Sequence, residues 1–262
     1  MTPVNNYACP SSITVFFPAF NDEDSIAALV AQALALLPQF TSDYEVIVVN
    51  DGSSDGTAAV LNKLAQRHER VRVIHHPVNR GYGGALQTGF AQATKDLIFY
   101  TDGDGQYDVR ELARLIPLLT EQIDVVNGYK VNRADNGRRV ALGRIYKFLA
   151  RLFFHLPIRD VDCDFRLLRR SAIQSMELVS TSGVFCAELV YKLHRAGYRF
   201  VETPVCHYPR LHGQSQFFTL RRVARTAYDF FGLWLKLVIW RRLTIAGTET
   251  QRRVKKVSED WI

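Results

Sequence analysis

Cysteine is scarce in this sequence and does not cluster. Cys9, Cys163, Cys186 and Cys206 are the only four, and no Cys-x-x-Cys pair occurs. Such spacing argues against a finger-type zinc site or a disulfide scaffold and suits a reducing compartment. Met1–Ser12 has no basic start followed by an apolar stretch, so a secretory leader is not expected. Phe230–Trp240 is apolar except for Lys236, well short of the roughly 20 residues that cross a bilayer as a helix. An RNP-like aromatic motif, a helix-turn-helix signal and C2H2 spacing are all missing, which sets nucleic acid aside as a partner. There are no repeats and no low-complexity segments.

Charge is unevenly placed. The net charge is +7, but residues 1–132 hold 9 Lys/Arg against 15 Asp/Glu and residues 133–262 hold 24 against 11. The halves thus carry −6 and +13. A basic half is either a solvated surface or a face for a polyanion, and an anionic membrane surface is the polyanion left standing.

The acidic half alternates β-rich runs with helical patterns, as βαβ units of a mostly parallel α/β sheet do. Ile13–Phe17, Glu45–Val49, Val71–His75, Leu97–Thr101 and Asp124–Gly128 read as strands. Asp22–Leu37, Thr57–Arg67, Gly84–Ala93 and Leu112–Leu119 read as helices. In the first of these, Ile26, Leu29, Val30, Ala33 and Leu37 recur with helical period. Beyond Lys130, the polar Val131–Arg139 reads as a mobile loop. Val140–Leu156 and Ser182–Ala196 read as helices, Tyr198–Thr203 as a strand, and a long helix is expected from about Phe217. The expected organisation is an α/β unit over 1–215 and a basic amphipathic segment over 216–262.

Ligands of open α/β sheets bind beyond the carboxyl ends of the strands. Polar clusters stand at three such ends: Pro18-Ala19-Phe20-Asn21-Asp22, Asn50-Asp51-Gly52-Ser53-Ser54-Asp55-Gly56, and Asp102-Gly103-Asp104-Gly105-Gln106. Any one could be an ordinary capped loop; three on one edge point to a ligand. Asp102 and Asp104 alternate at a strand end, so both carboxylates can aim at one point, and Gly103 lets a ligand approach the backbone. Such oxygen ligands suit Mg²⁺ or Mn²⁺ bridging a diphosphate. An EF-hand fits poorly, since Tyr107 and Ala113 stand at its sixth and twelfth positions. Asn79-Arg80-Gly81-Tyr82-Gly83-Gly84-Ala85 is neither a G-x-G-x-x-G nor a P-loop; it reads as a tight turn or as a backbone wall beside a nucleotide.

Together these segments resemble the family 2 inverting glycosyltransferases with a GT-A-type fold, in the branch acting on polyprenyl phosphates. The resemblance is carried by Pro18-Ala19-Phe20-Asn21, Asn50-Asp51-Gly52-Ser53, Asn79-Arg80-Gly81-x-Gly83 and Asp102-x-Asp104. Asp160–Leu167 is similar to that branch's Phe-Arg motif, and Tyr208–Ser215 to its Arg-x-x-Gly-x-Ser motif. The resemblance implies a nucleotide-diphosphate sugar donor, with Pro18, Phe20, Asp22 and Asp51 holding base and ribose. Asp102 and Asp104, with Gly103 and Gln106 between and beside them, would carry the metal and diphosphate; Lys130 and Arg210 would contact phosphates. Phe20-Asn21-Asp22 replaces the family's common Tyr-Asn-Glu, and Asp164 replaces a small residue. Gln216 replaces a Lys, which moves diphosphate neutralisation toward Arg210, Arg221 or Arg222.

The chemistry so implied is displacement at the anomeric carbon with inversion. A polyprenyl-phosphate acceptor is already anionic; a hydroxyl acceptor on a polysaccharide or glycolipid needs a general base, for which Glu188, Asp162 and Asp164 are candidates, the two aspartates suiting structural salt bridges to Arg166, Arg169 or Arg170 at least as well. In Val140–Leu156, Arg144, Lys147, Arg151 and His155 fall on one helical stripe and Leu142, Ile145, Leu149, Leu152, Phe153 and Leu156 opposite it. With the cation-flanked Phe230–Trp240, this suggests peripheral binding at the cytoplasmic face of a membrane; a membrane-protein partner or a second copy of the chain would use the same helices. Two rivals from other classes are a sugar-nucleotide pyrophosphorylase, which needs a Gly-rich, Lys-bearing N-terminal loop that Phe16–Glu23 lacks, and a receiver-like binding module using Asp51 and Asp102, which leaves the basic half unexplained.

Overall fold

Ile13–Ala19 (ITVFFPA) contains no charge and is buried along its whole length. A strand of that kind needs cover on both faces, as the inner strands of parallel sheets have. In the computed structural model, which describes residues 12–131, 137–174, 176–210 and 220–240, it is strand β1 of a mixed sheet. The other strands are β2 (Tyr44–Asn50), β3 (Val71–His75), β4 (Leu97–Tyr100), β5 (Val125–Val131), β6 (Arg166–Arg169) and β7 (Phe200–Cys206), in the order β3-β2-β1-β4-β6-β5-β7. β1 runs parallel to β2 and β4, β2 to β3, and β5 to β7; β6 is antiparallel to β4 and β5. The helices are α1 (Ile26–Leu36), α2 (Thr57–Arg67), α3 (Tyr82–Gln92), α4 (Leu112–Leu115), α5 (Gly137–Phe154), α6 (Arg170–Gln174), α7 (Phe185–Arg195) and α8 (Leu220–Trp234).

Several elements depart from expectation, among them the unforeseen short helix α6 and α5, which starts at Gly137 inside the expected 131–139 loop. α1 starts at Ile26 rather than Asp22, because the Asp22 carbonyl accepts from Ser25 and Ile26 while its carboxylate accepts from the Phe20 amide. Leu112–Leu119 is not one helix: a single α-turn, α4, lies between 3-10 turns at Val109–Glu111 and Ile116–Leu118, the second holding Pro117. Strand β6, unforeseen, is bounded by Arg166 and Arg169. Arg166 is fully buried; its Nε donates to Asn127 Oδ1 at 2.6 Å and its Nη1 to the Tyr100 hydroxyl, tying β6 to both neighbours.

By contacts the chain falls into two compact units, Met1–Gln216 and Phe217–Ile262. In the first, α5 buries Ala150 and Phe154 and turns Lys147 inward onto Asp160 at 2.6 Å. Leu142, Ile145, Phe148 and Leu152 are exposed, as are Arg144, Arg151 and His155. The basic and apolar residues of α5 therefore lie side by side on its outer face, not on opposite faces. Lys147 leaves the basic stripe because Asp160 captures it, and Leu156 leaves the apolar one for the interior. In the second unit, α8 continues into a π-helical turn at Leu235–Trp240, with Tyr228, Phe231, Leu235 and Trp240 exposed. Among the described residues no helix is long and apolar enough to cross a membrane. Most of the expected 131–139 loop, the start of the chain with Cys9, residues 211–219 and residues 241–262 lie outside the described residues.

Candidate active site

The register of the sheet brings the expected loops together. Ala19 pairs with Asn50, and Asn50 with His75, so β1, β2 and β3 end level. The Asp51 amide donates to Ala19 O and the Gly103 amide to Pro18 O, joining the ends of β2 and β4 to that of β1. Gly103 has no alternative here: a Cβ would stand 2.7 Å from the Pro18 carbonyl oxygen and 3.3 Å from Asp22 Oδ2.

The first loop is bolted to the second. Asn21, left-handed at φ 56°, donates its amide to Ser53 Oγ and accepts the Ser54 amide on its side chain. The Asp22 amide donates to Thr57 Oγ1 at 3.0 Å. Burial, with the Asp104 carboxylate adding to it, pushes the Asp22 carboxyl up to about 6, against the Phe20 amide and Arg210, which pull it down. Pro18 is buried in β1 and Phe20 is half-buried beside this turn.

Asp102 accepts from the Tyr82 hydroxyl at 2.7 Å. Burial, then the Asp164 and Asp104 carboxylates, drive its carboxyl well above the ordinary range, against Tyr82 and Lys130. Asp104 takes the Gln106 amide on Oδ1 and Arg210 Nη2 on Oδ2 at 2.8 Å; the same guanidinium nitrogen is 4.0 Å from Asp22. Gln106 turns its own amide group to the Tyr208 carbonyl while the Tyr208 amide donates to Gln106 O, which fastens the segment carrying Arg210. Lys130 is buried, its Nζ on the Asp162 carbonyl and 3.6 Å from that carboxylate. Burial disfavours its ammonium, but Asp162 and Asp160 outweigh that and hold it above the usual lysine range.

Glu188 is placed elsewhere. Wholly buried at the start of α7, it accepts from the Val179 and Ser180 amides and pairs with Lys192 at 2.5 Å. Burial opposes its charge, but these donors outweigh it and hold the carboxyl below its ordinary value. That makes it a strap for the 179–180 turn, and the general-base role considered for it finds no support in the geometry. Asp164 is buried and accepts from Cys186 Sγ at 2.8 Å; Asp162 is engaged by Lys130, so neither aspartate pairs with an arginine at hydrogen-bond distance among the described residues. Leu211–Ser215 of the Arg-x-x-Gly-x-Ser motif, Gln216 and the side chains of Arg221 and Arg222 lie outside the described residues.

Among the described residues no group of three or more His, Cys, Asp or Glu side chains is arranged to hold a metal. Asp102 and Asp104 alone fit a divalent ion of the kind that takes one or two carboxylates and fills its shell with water and substrate phosphates. Burial raises Asp102 most, and the repulsion that Asp164 and Asp104 add to it is what such a cation would relieve. Sequence reasoning missed Tyr82, although it lies in the Gly-rich entry to α3, and His76, whose place just past the end of β3 was the available signal.

A mostly parallel sheet whose strand ends gather Asp22, Asp51 and the Asp102-x-Asp104 pair defines an α/β protein of the GT-A type. Solved structures share the fold. Glucosyl-3-phosphoglycerate synthase from Mycobacterium tuberculosis, in complex with Mn²⁺, uridine diphosphate and phosphoglyceric acid, superposes with a TM-score of 0.66 at 22% identity, over 86% of this chain and 78% of that one. A Pyrobaculum calidifontis mannosyltransferase with GDP-mannose and Mn²⁺ gives 0.59 at 21%, over 78% and 58%. Residues 14–176 match the profile of Glycosyl transferase family 2, and the chain belongs to that family. Among its curated relatives, the undecaprenyl-phosphate 4-deoxy-4-formamido-L-arabinose transferase of Serratia proteamaculans is 32% identical over 219 residues, 83% of this chain. Glycosyltransferase AglD of Haloferax volcanii is 28% identical over 251 residues, 92% of this chain. This chain spans 66% of the length of the first and 40% of the second.

Proposed function

We propose that this chain transfers a sugar from a nucleotide-diphosphate donor to a polyprenyl phosphate, with inversion, at the cytoplasmic face of a membrane. The observation that carries the reading is the meeting of Asp22, Asp51, Asp102 and Asp104 at one sheet edge with Arg210 reaching two of them. The name of the Serratia relative supports the acceptor class. A phosphate oxygen of the acceptor forms the new bond to the anomeric carbon as the bond to the donor's diphosphate breaks. Asp51, Asp22, Pro18 and Phe20 hold the nucleoside end. Asp102 and Asp104 would hold Mg²⁺ or Mn²⁺, which when bound supplies positive charge to the leaving diphosphate. Arg210 supplies a second cation at the same place, and Lys130 a buried one nearby. A phosphate acceptor needs little proton removal, which agrees with the lack of a free, well-placed base at Glu188 and Asp164.

The unit over 1–215 is then the catalytic domain, and residues 216–262 a membrane-associating segment. The outer face of α5, with four exposed apolar residues beside Arg144 and Arg151, suits the interfacial layer of an anionic membrane. The test is transfer of labelled sugar to polyprenyl phosphate in detergent, run alongside calorimetry of uridine and guanosine diphosphates with Mn²⁺. Asp104→Ala should abolish transfer and metal-dependent nucleotide binding while the fold melts normally. Unchanged metal-dependent affinity in that variant would remove the assignment.

A further inference from the structure

The end of β3 carries His75-His76, and neither has a part in the chemistry above. His76 is buried, with Nδ1 2.6 Å from Asp51 Oδ1 and Nε2 2.9 Å from Thr88 Oγ1 on α3. A carboxylate only accepts, so Nδ1 carries the hydrogen and donates it. Thr88 Oγ1 also stands 3.1 Å from Gly84 O, so its single hydrogen can go to that carbonyl or to Nε2, and donation to Nε2 is the choice that matches a hydrogen on Nδ1. Asp51 Oδ1 also takes the Arg80 amide at 2.9 Å, and the Asp51 carbonyl accepts Asn79 Nδ2 at 3.1 Å. The adjoining turn is closed as well: Gly52 has φ +70°, and a Cβ there would stand 2.6 Å from the Asn79 amide nitrogen. Among the described residues both bonds to the carboxylate fall on Oδ1, which leaves Oδ2 for a ligand. His75 serves a different purpose, meeting Asn50 at 2.9 Å and Asn62 of α2 at 3.0 Å.

We propose that His76 is a positioning residue of the donor site, orienting Asp51 so that Oδ2 meets the nucleoside, with Thr88 holding the imidazole in place. The proposal rests on the reading of Asp51 as a nucleoside contact. A carboxylate held by two donors does not reorganise when the ligand arrives, and the reorganisation avoided appears as affinity. The effect belongs to the nucleoside end of the donor and leaves the diphosphate end alone.

Calorimetry on the full chain separates the two ends, with uridine and guanosine diphosphates plus Mn²⁺ as one set of probes and inorganic pyrophosphate plus Mn²⁺ as the other. His76→Phe, which keeps the ring and removes both bonds, should weaken the preferred nucleotide roughly tenfold or more, the scale of hydrogen bonds to a charged group. Pyrophosphate affinity should not change. Asp51→Asn combined with His76→Phe should bind no more weakly than Asp51→Asn alone, because both act through one carboxylate. Should His76→Phe fail to fold, the near-isosteric Thr88→Val loosens the imidazole from its far side and should show a smaller loss of the same kind. Wild-type nucleotide affinity in the His76 and Thr88 variants, with loss in Asp51→Asn, would overturn the positioning role and leave the donor reading standing. Wild-type affinity in Asp51→Asn would reject the donor reading of Asp51 itself. Equal losses for pyrophosphate and nucleotide would mark general damage and overturn the proposal.

Discussion

Glu188 and Asp22 show how differently two buried carboxylates behave. Glu188 is charged and satisfied, so it contributes stability above the ordinary glutamate range that is lost as pH falls through its lowered value. Glu188→Gln should destabilise the fold at pH 7 by roughly 2 kcal/mol for the lost charged hydrogen bonds, read as a lower melting temperature. Transfer at a permissive temperature should stay within a few-fold of wild type, whereas loss of a true general base costs about 10²–10⁴-fold. Asp22 has the opposite sign. Its carboxyl is raised from 3.8 to about 6, so the folded state binds its proton more tightly, and ionising it above pH 6 costs stability. Asp22→Asn should therefore melt higher than wild type at pH 8, with the gain vanishing toward pH 4, and should weaken nucleotide binding. A stability gain that is equal at both pH values would contradict that account.

At the scale of elements, periodicity made the first half legible because β1 and β2 carry the apolar runs 15–19 and 46–49 and α1 repeats its buried residues every three or four positions. It failed where charge is buried. Arg166-Leu167-Leu168-Arg169 has an arginine at each end and does not read as a strand, yet Arg166 is sealed in the sheet because Asn127 and Tyr100 supply acceptors that no pattern in Arg166–Arg169 reveals. The same blindness misplaced Lys147, whose partner Asp160 lies beyond the end of its helix. α5 nevertheless keeps an outer face that can be tested apart from the fold. Ile145 and Phe148 are 55% and 65% exposed, so Phe148→Glu should change stability by no more than about 0.5 kcal/mol. It should sharply reduce co-sedimentation with anionic liposomes; undiminished sedimentation would take α5 out of the membrane proposal.

For the whole molecule, the proposed function assigns the −6 half to gathering carboxylates for a cation and the +13 half to facing anionic lipid. Binding of that kind weakens as salt rises, since each cation near an anionic surface is worth about 1 kcal/mol and is screened. Full-length protein should leave liposomes as salt is raised, and a truncation after Gln216 should bind more weakly at every salt concentration. Equal binding by both forms would place the second unit outside the membrane contact. The gathering of Asp51, Asp102 and Asp104 at one sheet edge was legible from spacing, because each follows a strand end. Roles that depend on what a side chain meets across the fold, such as those of Glu188, Gln106 and His76, were not.

The antiparallel β6 also sets an order of events during synthesis. β4 and β5 never touch as strands; β6 separates them, and both sheet neighbours of β5 lie later in the chain. A nascent chain that has emerged as far as Val131 can pair β1 with β2 and β4, and β2 with β3, but β4 keeps an open edge and β5 has nothing to join. Asn127 and Tyr100 must meanwhile wait for the arginine that will lie between them. A fragment ending at 131 should consequently aggregate, because an unpaired strand edge invites another chain. The domain becomes self-sufficient only once β6 and then β7 have left the ribosome, so translational pauses before residue 166 would be the most damaging to its yield.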